Sequence, residues 1–353
     1  MTNTLTDREK AVYDWLCDDE SRKLFLLRKR HTEQGLDSIY DVVDGTAQSR
    51  KVANMLRNNK YIIYGVGNAG KHLGKYVQKL GLAENCVGVW DNFAQGKTLF
   101  GKTVISPPQQ RENICTHSEI LQCDIIIVTP TLQKHFDEML GVLPDNIKSK
   151  VFWLRPEMDM YFDEKIIIPR LVSDEVFIDG GCLDFETSEI LLKKAPSVKK
   201  IYAFEPEKSS IDCIKQNVLK YGCNCVDIQE AAIWSSDTTL KFITNEQQLN
   251  KARSRLGDEG SVEIKARSVD SVAAAEDKVT FIKFDIEGAE LEGLKGAAKT
   301  IKRDKPKLAI CIYHKPNDYY EIAEYIKSLV PEYKAYIRHY YYLAAETILY
   351  CVI

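Results

Sequence analysis

Asp285 and Glu287 are the two side chains in this sequence best placed to do chemistry. They end the apolar run that opens Thr280 to Gly296 (TFIKFDIEGAELEGLKG), and Gly288 follows, so two carboxylates stand where a buried strand meets a loop. Ligands of open α/β sheets sit outside the carboxyl ends of the strands, where a carboxylate can hold a hydroxyl or accept a proton. The arrangement recurs upstream. EVFI (Glu175 to Ile178) leads into Asp179, Gly180 and Gly181, and KIYAF (Lys200 to Phe204) ends in Glu205 and Pro206. Three apolar runs that each deliver a carboxylate at their end describe a cofactor crevice.

The spacing points to a nucleoside ligand. Glycines after Asp179 let the backbone approach a ligand closely, and an acid at the end of the next strand is placed to accept both ribose hydroxyls. Glu205 follows Asp179 by about 26 positions, slightly more than the roughly 20 of dinucleotide folds. The phosphate-cradling glycine loop is incomplete, so the pocket suits an adenosine-type ligand without a pyrophosphate.

These sites need strands and helices to carry them. Asp7 to Arg30 has helical spacing, with Val12, Leu16, Leu24, Phe25 and Leu27 on apolar faces. Tyr61 to Tyr64 is a short strand, and Gly65, Gly67 and Gly70 form a GxGxxG turn into a helix. Val87 to Trp90 is a second strand ending in Asp91, 21 residues after Gly70, and Ile125 to Val128 is a third. This is the order of a dinucleotide-binding half. Two readings stay open for it: nucleotide or nucleotide-sugar binding through Gly65, Gly67, Gly70 and Asp91, or a degenerate scaffold for dimerisation or domain packing. The boundary falls near Lys150. Tyr333 to Arg338 and Thr347 to Ile353 alternate and close the chain as two strands.

The segments FIDGGCLDFETSEI, IYAFEPEKSSIDCIKQN, IQEAAIWSSDTTLKF, VTFIKFDIEGAELEGLKGA and LAICIYHKPNDYYEIAEYIKSL occur in this order. With them, the chain from about Tyr161 to its C-terminus resembles the FkbM family of S-adenosylmethionine-dependent methyltransferases. The resemblance implies a class I methyltransferase-type sheet with a closing antiparallel hairpin and S-adenosylmethionine as cofactor. It further implies that Asp179 and Gly181 frame the methionine half, that Asp184 is also a cofactor-binding residue, that Glu205 holds the ribose, that Glu230 and Ala231 lie near the adenine, and that Asp285 closes the crevice beside the methyl. One departure stands out. The family's Asp-x-Gly-x-x-x-Gly pattern ends here in Phe185, whose ring could crowd the cofactor. The N-terminal unit resembles Rossmann-type domains associated with sugar-modifying enzymes.

Methyl transfer to a hydroxyl needs a positioned acceptor and a base. His314 ends the apolar run LAICIYH toward the same edge as Asp285 and is the base candidate, with loop anchoring as its other reading. Glu287 orients it, is itself the base, or caps the following helix. His339 reads as structural or as a substrate-wall residue, and Tyr340, Tyr341 and Tyr342 as packing or a sugar-stacking face. Two carboxylates are too few ligands to assign a metal, and none is assigned.

Composition bounds the rest. The 353 residues suffice for two domains, with 44% hydrophobic and 28% charged residues. A net charge of −3 offers no basic surplus for a nucleic acid. The N-terminus lacks a signal-peptide pattern, and no apolar run approaches the roughly 18 residues of a membrane span. Ten cysteines without a repeated CxxC indicate neither zinc nor a disulfide framework, and a cytoplasmic, reducing location is expected.

The expected architecture is α/β: a helical lead-in over 1–58, a Rossmann-like domain over 59–150 and a methyltransferase domain over 151–353. The expected activity is O-methylation of a hydroxyl, of a sugar or glycan precursor, with a small-molecule or glycan acceptor and a homo-oligomer left open. The first alternative is a catalytically silent methyltransferase-fold scaffold that binds nucleotide-sugar or partner enzymes. The second is an NAD-dependent oxidoreductase in the first domain, which lacks a Tyr-x-x-x-Lys pair.

Overall fold

The computed structural model describes residues 5–34, 47–109, 117–130, 133–155, 159–243, 255–256, 262–273, 278–341 and 345–353. The helical run expected from Asp7 to Arg30 is broken in two, α1 (Asp7–Trp15) and α2 (Asp19–Gln34). Thr6 and Glu9 cap α1 reciprocally, and Leu16 leaves it in an extended conformation. Asp18 then accepts the Ser21 N–H at 2.8 Å and starts the next helix.

The chain forms two compact units, one of Leu36–Glu157 with Tyr340–Ala344, the other of Met1–Gly35, Met158–His339 and Ala345–Ile353. The smaller holds α3 (Ala47–Asn58), β1 (Tyr61–Tyr64), α4 (Asn68–Lys79), β2 (Cys86–Trp90), β3 (Thr98–Leu99), β4 (Lys102–Ile105), β5 (Ile125–Val128), α5 (Gln133–Val142) and β6 (Val151–Trp153). Its sheet runs β3-β4-β2-β1-β5-β6, parallel except for the short β3/β4 pair. Strands buried on both faces by crossover helices need continuous apolar runs, which YIIY and IIIV supply. Tyr76 donates to the Ser49 carbonyl at 3.2 Å, tying α4 to α3. The segment expected as one lead-in over 1–58 is therefore shared out: α3 packs here, α1 and α2 in the larger unit. Because β6 pairs with β5, this unit also extends past residue 150.

The larger unit continues with β7 (Glu175–Gly180), α6 (Glu186–Lys194), β8 (Val198–Phe204), α7 (Lys208–Tyr221) and β9 (Val226–Gln229). A small sheet of β10 (Ala232–Ile233), β11 (Thr238–Ile243), β12 (Arg255–Leu256) and β13 (Val262–Arg267) follows. Then come β14 (Phe281–Phe284), α8 (Glu290–Gly296), α9 (Ala298–Asp304), β15 (Lys307–Cys311), α10 (Asp318–Leu329), β16 (Lys334–His339) and β17 (Thr347–Val352). The main sheet runs β16-β17-β15-β14-β7-β8-β9, and only β17 is antiparallel to its neighbours. The β16/β17 hairpin is the closing element expected from the sequence. Strand order reverses between β7 and β14, and a crevice opens at such a switch point beyond the carboxyl ends.

Helical spacing buries Tyr319, Ile322, Ala323 and Ile326 on one side of α10. The N-terminal helices are fixed to this unit by polar contacts as well as apolar ones. Glu9 takes a buried ion pair from Lys29 at 2.8 Å and a hydrogen bond from the Tyr319 hydroxyl, while Trp15 donates to the Tyr333 carbonyl at 2.8 Å.

Candidate functional site

At the carboxyl end of β7 the chain turns at Gly181, whose φ is +74°. A methyl group there would lie 1.9 Å from the Asp285 carbonyl oxygen, so only glycine lets the turn after β7 lie against the turn after β14. Asp179 is fully buried one strand position before Gly180. It pairs in register with Lys283 of β14, and the ammonium stands 3.2 Å from its Oδ1. Lys283 also donates to the carbonyls of Gly180 and Gly181, at 3.0 and 2.7 Å, and Ser188 donates to Asp179 Oδ2 at 2.6 Å. Burial acts to lower the Lys283 pKa, but Asp179 and Asp285 outweigh it and the net shift is upward. Asp179 and Gly181 thus form one corner with Lys283, a residue that carries no site signal in the sequence.

Asp184 accepts the Glu186 N–H at 3.0 Å in the first turn of α6, and its carbonyl accepts from Asn217 at 2.7 Å. Burial raises its pKa. Phe185 has φ +77°, the left-handed conformation that favours glycine, which gives the family's glycine at this position a physical reason. Its ring is 1% exposed and packs 6.4 Å from that of Tyr221, at the end of α7. The phenyl group is taken up by packing between helices.

Glu205 ends β8 and is 7% exposed. Its carboxylate accepts N–H groups from Leu183 at 3.0 Å and Glu207 at 2.9 Å, which joins the β8 end to the loop after Gly181. Burial pushes its pKa up to about 7 against the pull of those two donors. Glu230 is on the surface in an ion pair with Lys215 at 2.5 Å, and the adjoining Ala231 is buried.

The turn after β14 gathers a second group. Asp285 accepts hydroxyl hydrogens from Tyr161 at 2.8 Å and Tyr313 at 3.3 Å; Tyr313 also contacts Glu346 at 3.2 Å. Glu287 takes a left-handed backbone, φ +54°, followed by Gly288 at +95°. From the end of β15, His314 brings Nε2 to 3.4 Å from Asp285 Oδ1 and 3.6 Å from Glu287 Oε2. Its Nδ1 lies 2.9 Å from Glu290 Oε1, an oxygen held by the Ile286 N–H at 2.9 Å. Burial works against a charged imidazole, yet Glu290, Asp285 and Glu287 together lift the His314 pKa to about 9. The protonated imidazole is therefore favoured at neutral pH. Asp285, Glu287 and His314 offer three ligand atoms within 4.8 Å of one another, enough to hold a metal ion. Sequence alone offers two of these ligands together, because the third comes from a different strand.

His339 is buried at the end of β16, its Nδ1 2.9 Å from Thr347 Oγ1 across the hairpin. Tyr340 and Tyr341 lie among the residues grouped with the smaller unit, and Tyr342 is outside the described residues.

In the smaller unit Gly65 has φ +102° and ends β1, and Gly67 is the N-cap of α4 without a side-chain cap. Asp91 accepts N–H groups from Val66, Phe93 and Ala94 at 2.8, 2.8 and 2.9 Å. Its carboxylate ties the glycine turn to the loop after β2.

A seven-stranded sheet of this order, with a glycine turn and acids at the ends of β7, β8 and β14, defines a methyltransferase-type domain. Residues 181–342 match the family model described as the methyltransferase FkbM domain, and the chain carries such a domain. This agrees with S-adenosylmethionine as its cofactor. Among solved structures, the chain is similar to the methyltransferase FkbM from Methylobacillus flagellatus (17% identity, 98% of each chain, TM-score 0.45). It is also similar to an rRNA methylase from Streptococcus thermophilus (15% identity, 55% of this chain and 91% of that one, TM-score 0.35). A putative methyltransferase from Streptococcus mutans in complex with SAH shares 11% identity over 56% of this chain and 95% of that one, with TM-score 0.34. No curated protein matches the chain significantly. No helix among the described residues is long and apolar enough to cross a membrane.

Proposed function

We propose that the chain is an O-methyltransferase that transfers the methyl group of S-adenosylmethionine to a hydroxyl of a sugar or glycan precursor. The observation that carries the reading is the placing of Asp285, Glu287 and His314 at the β14 and β15 ends, next to the Gly181 turn. Gly181 and Asp179 would shape the cofactor's methionine end, and Glu205 would hold the ribose while bracing the Leu183 loop.

S-adenosylmethionine supplies an electrophilic methyl group on a sulfonium. The protein must align a hydroxyl with it and take the proton. The carboxylates around His314 lift its pKa to about 9 and favour its protonated form, so the hydroxyl proton goes to the Glu287 carboxylate, whose side chain is 27% exposed. His314 steadies Glu287 and Asp285. The carbohydrate class rests on the resemblance of the N-terminal unit to domains of sugar-modifying enzymes, and the net charge of −3 favours such an acceptor over nucleic acid.

The test is transfer of radiolabelled methyl to a panel of sugars and nucleotide-sugars. Labelled product from wild type, reduced at least about 100-fold in Glu287→Gln with cofactor affinity retained, is the expected result. Label on an amine, or none with any hydroxyl acceptor despite tight cofactor binding, overturns the reading.

A further inference from the structure

His314 Nε2 is centred between two carboxylates and hydrogen-bonded to neither. The separations are 3.4 Å to Asp285 and 3.6 Å to Glu287, the imidazole side chain is 10% exposed, and among the described residues Nε2 has no hydrogen-bond partner. An imidazolium nitrogen paired simply with a carboxylate draws it to about 2.8 Å, as Nδ1 does with Glu290 at 2.9 Å, and Nε2 does not. Ligand atoms sharing one ion at about 2.0 to 2.3 Å, by contrast, stand roughly 3 to 3.6 Å apart. The observed distances match the second case.

The surroundings complete the pattern. Glu290 faces Nδ1 at 2.9 Å and is itself fixed by the Ile286 N–H, an arrangement that sets the ring of a metal-bound imidazole and directs its other nitrogen. Tyr161 donates to Asp285 Oδ2, and Tyr313 donates to Oδ1, the oxygen that faces His314. Glu287, in a left-handed backbone conformation, places Oε2 3.6 Å from Nε2.

We propose that Asp285, Glu287 and His314 bind one divalent cation. Two carboxylate oxygens and one imidazole nitrogen form a set suited to a hard or borderline ion such as Mn²⁺ or Mg²⁺, with the remaining positions left to water or a ligand hydroxyl. Two carboxylates neutralise the ion's charge. On the methyltransferase reading, the ion would take the acceptor's hydroxyl oxygen and lower its pKa, and the second Glu287 oxygen would receive the proton.

The experiment titrates the full chain with Mn²⁺, following the free-ion signal by electron paramagnetic resonance, and titrates the same samples with S-adenosylmethionine. Wild type is expected to bind one Mn²⁺ per chain, with Mg²⁺ competing. His314→Ala and Glu287→Gln should each weaken it at least about tenfold. Circular dichroism checks that both variants fold, and Glu290→Gln, which leaves all three ligands in place, should also lose affinity. Equal Mn²⁺ binding by wild type and all variants, or none by wild type, overturns the cation site. Mn²⁺ bound without any S-adenosylmethionine binding overturns the methyltransferase reading and leaves the site standing.

Discussion

Lys283 Nζ lies 3.2 Å from Asp179 Oδ1, both side chains are within 2% of complete burial, and the same ammonium donates to the Gly180 and Gly181 carbonyls. One buried cation therefore holds the corner at which the chain turns after β7. Taking one partner from a buried pair strands the other, at a cost of about 3 to 5 kcal/mol. Lys283→Met should lose about that much in urea unfolding. The double variant Lys283→Met/Asp179→Asn should recover part of it. A single-variant loss under about 1 kcal/mol would show that the pair does not hold the corner.

That pair was hidden in the sequence although its strands were not. FIKF and EVFI read as strands because buried parallel strands are continuous apolar runs. Lys283 reads there as an interruption, and only sheet register, β14 beside β7 across about a hundred residues, sets it against Asp179. Glu290 was hidden for a related reason: in ELEGLKG it looks like an ordinary first-turn acid, and its approach to His314 depends on how α8 packs beside the β15 end. The break between α1 and α2 was missed because apolar spacing continues through Leu16, while the Asp18 cap that restarts the helix is a local polar signal. Asp285, Glu287 and His314 were legible because strand ends are marked by abrupt changes from apolar to polar residues.

The left-handed backbone of Phe185 sets an unusual order of stabilities. Removing its ring costs about 3 to 5 kcal/mol, whereas a glycine at φ +77° regains about 1 to 2 kcal/mol of backbone strain that alanine does not. Both variants should be less stable than wild type, with Phe185→Ala below Phe185→Gly by about 1 kcal/mol. Chemical denaturation measures it, and alanine equal to or above glycine would contradict the conformation. S-adenosylmethionine affinity should change little in Phe185→Gly, since the ring is packed against α7. Binding seen only after the ring is removed would mean that it obstructs the cofactor.

Glu205 links stability to pH. Its ordinary value of 4.5 rises on folding to about 7, so between the two the folded protein holds more protons than the unfolded chain. Stability from this group is present at low pH and is lost as pH rises from about 5 through about 7, a few kcal/mol at most. Asp318, lifted to about 6 by burial and by Glu290, slopes the same way, so the measurement must be a difference. Wild type minus Glu205→Gln, in urea at a series of pH values, should fall across that window and level off above it. A difference independent of pH would mean that Glu205 is ionised throughout.

Gly67 and Gly70 differ in what the fold requires of them. A methyl on Gly70 would sit 1.9 Å from the Gly65 carbonyl oxygen, a backbone atom that cannot step aside, whereas a methyl on Gly67 meets nothing within 4 Å. Gly70→Ala should cost about 1 to 3 kcal/mol by forcing α4 away from β1. Gly67→Ala should leave the melting temperature nearly unchanged, since its φ of −62° suits alanine. The fold therefore gives no reason for a glycine at 67, and open space beside the first N–H groups of α4 is what an approaching phosphate requires. Titration with a uridine diphosphate sugar decides the role of the smaller unit. Binding by wild type that is weakened in Gly67→Ala, at unchanged stability, assigns the turn to a nucleotide. No binding by either protein leaves Gly65, Gly70 and Asp91 as the joints of a scaffold.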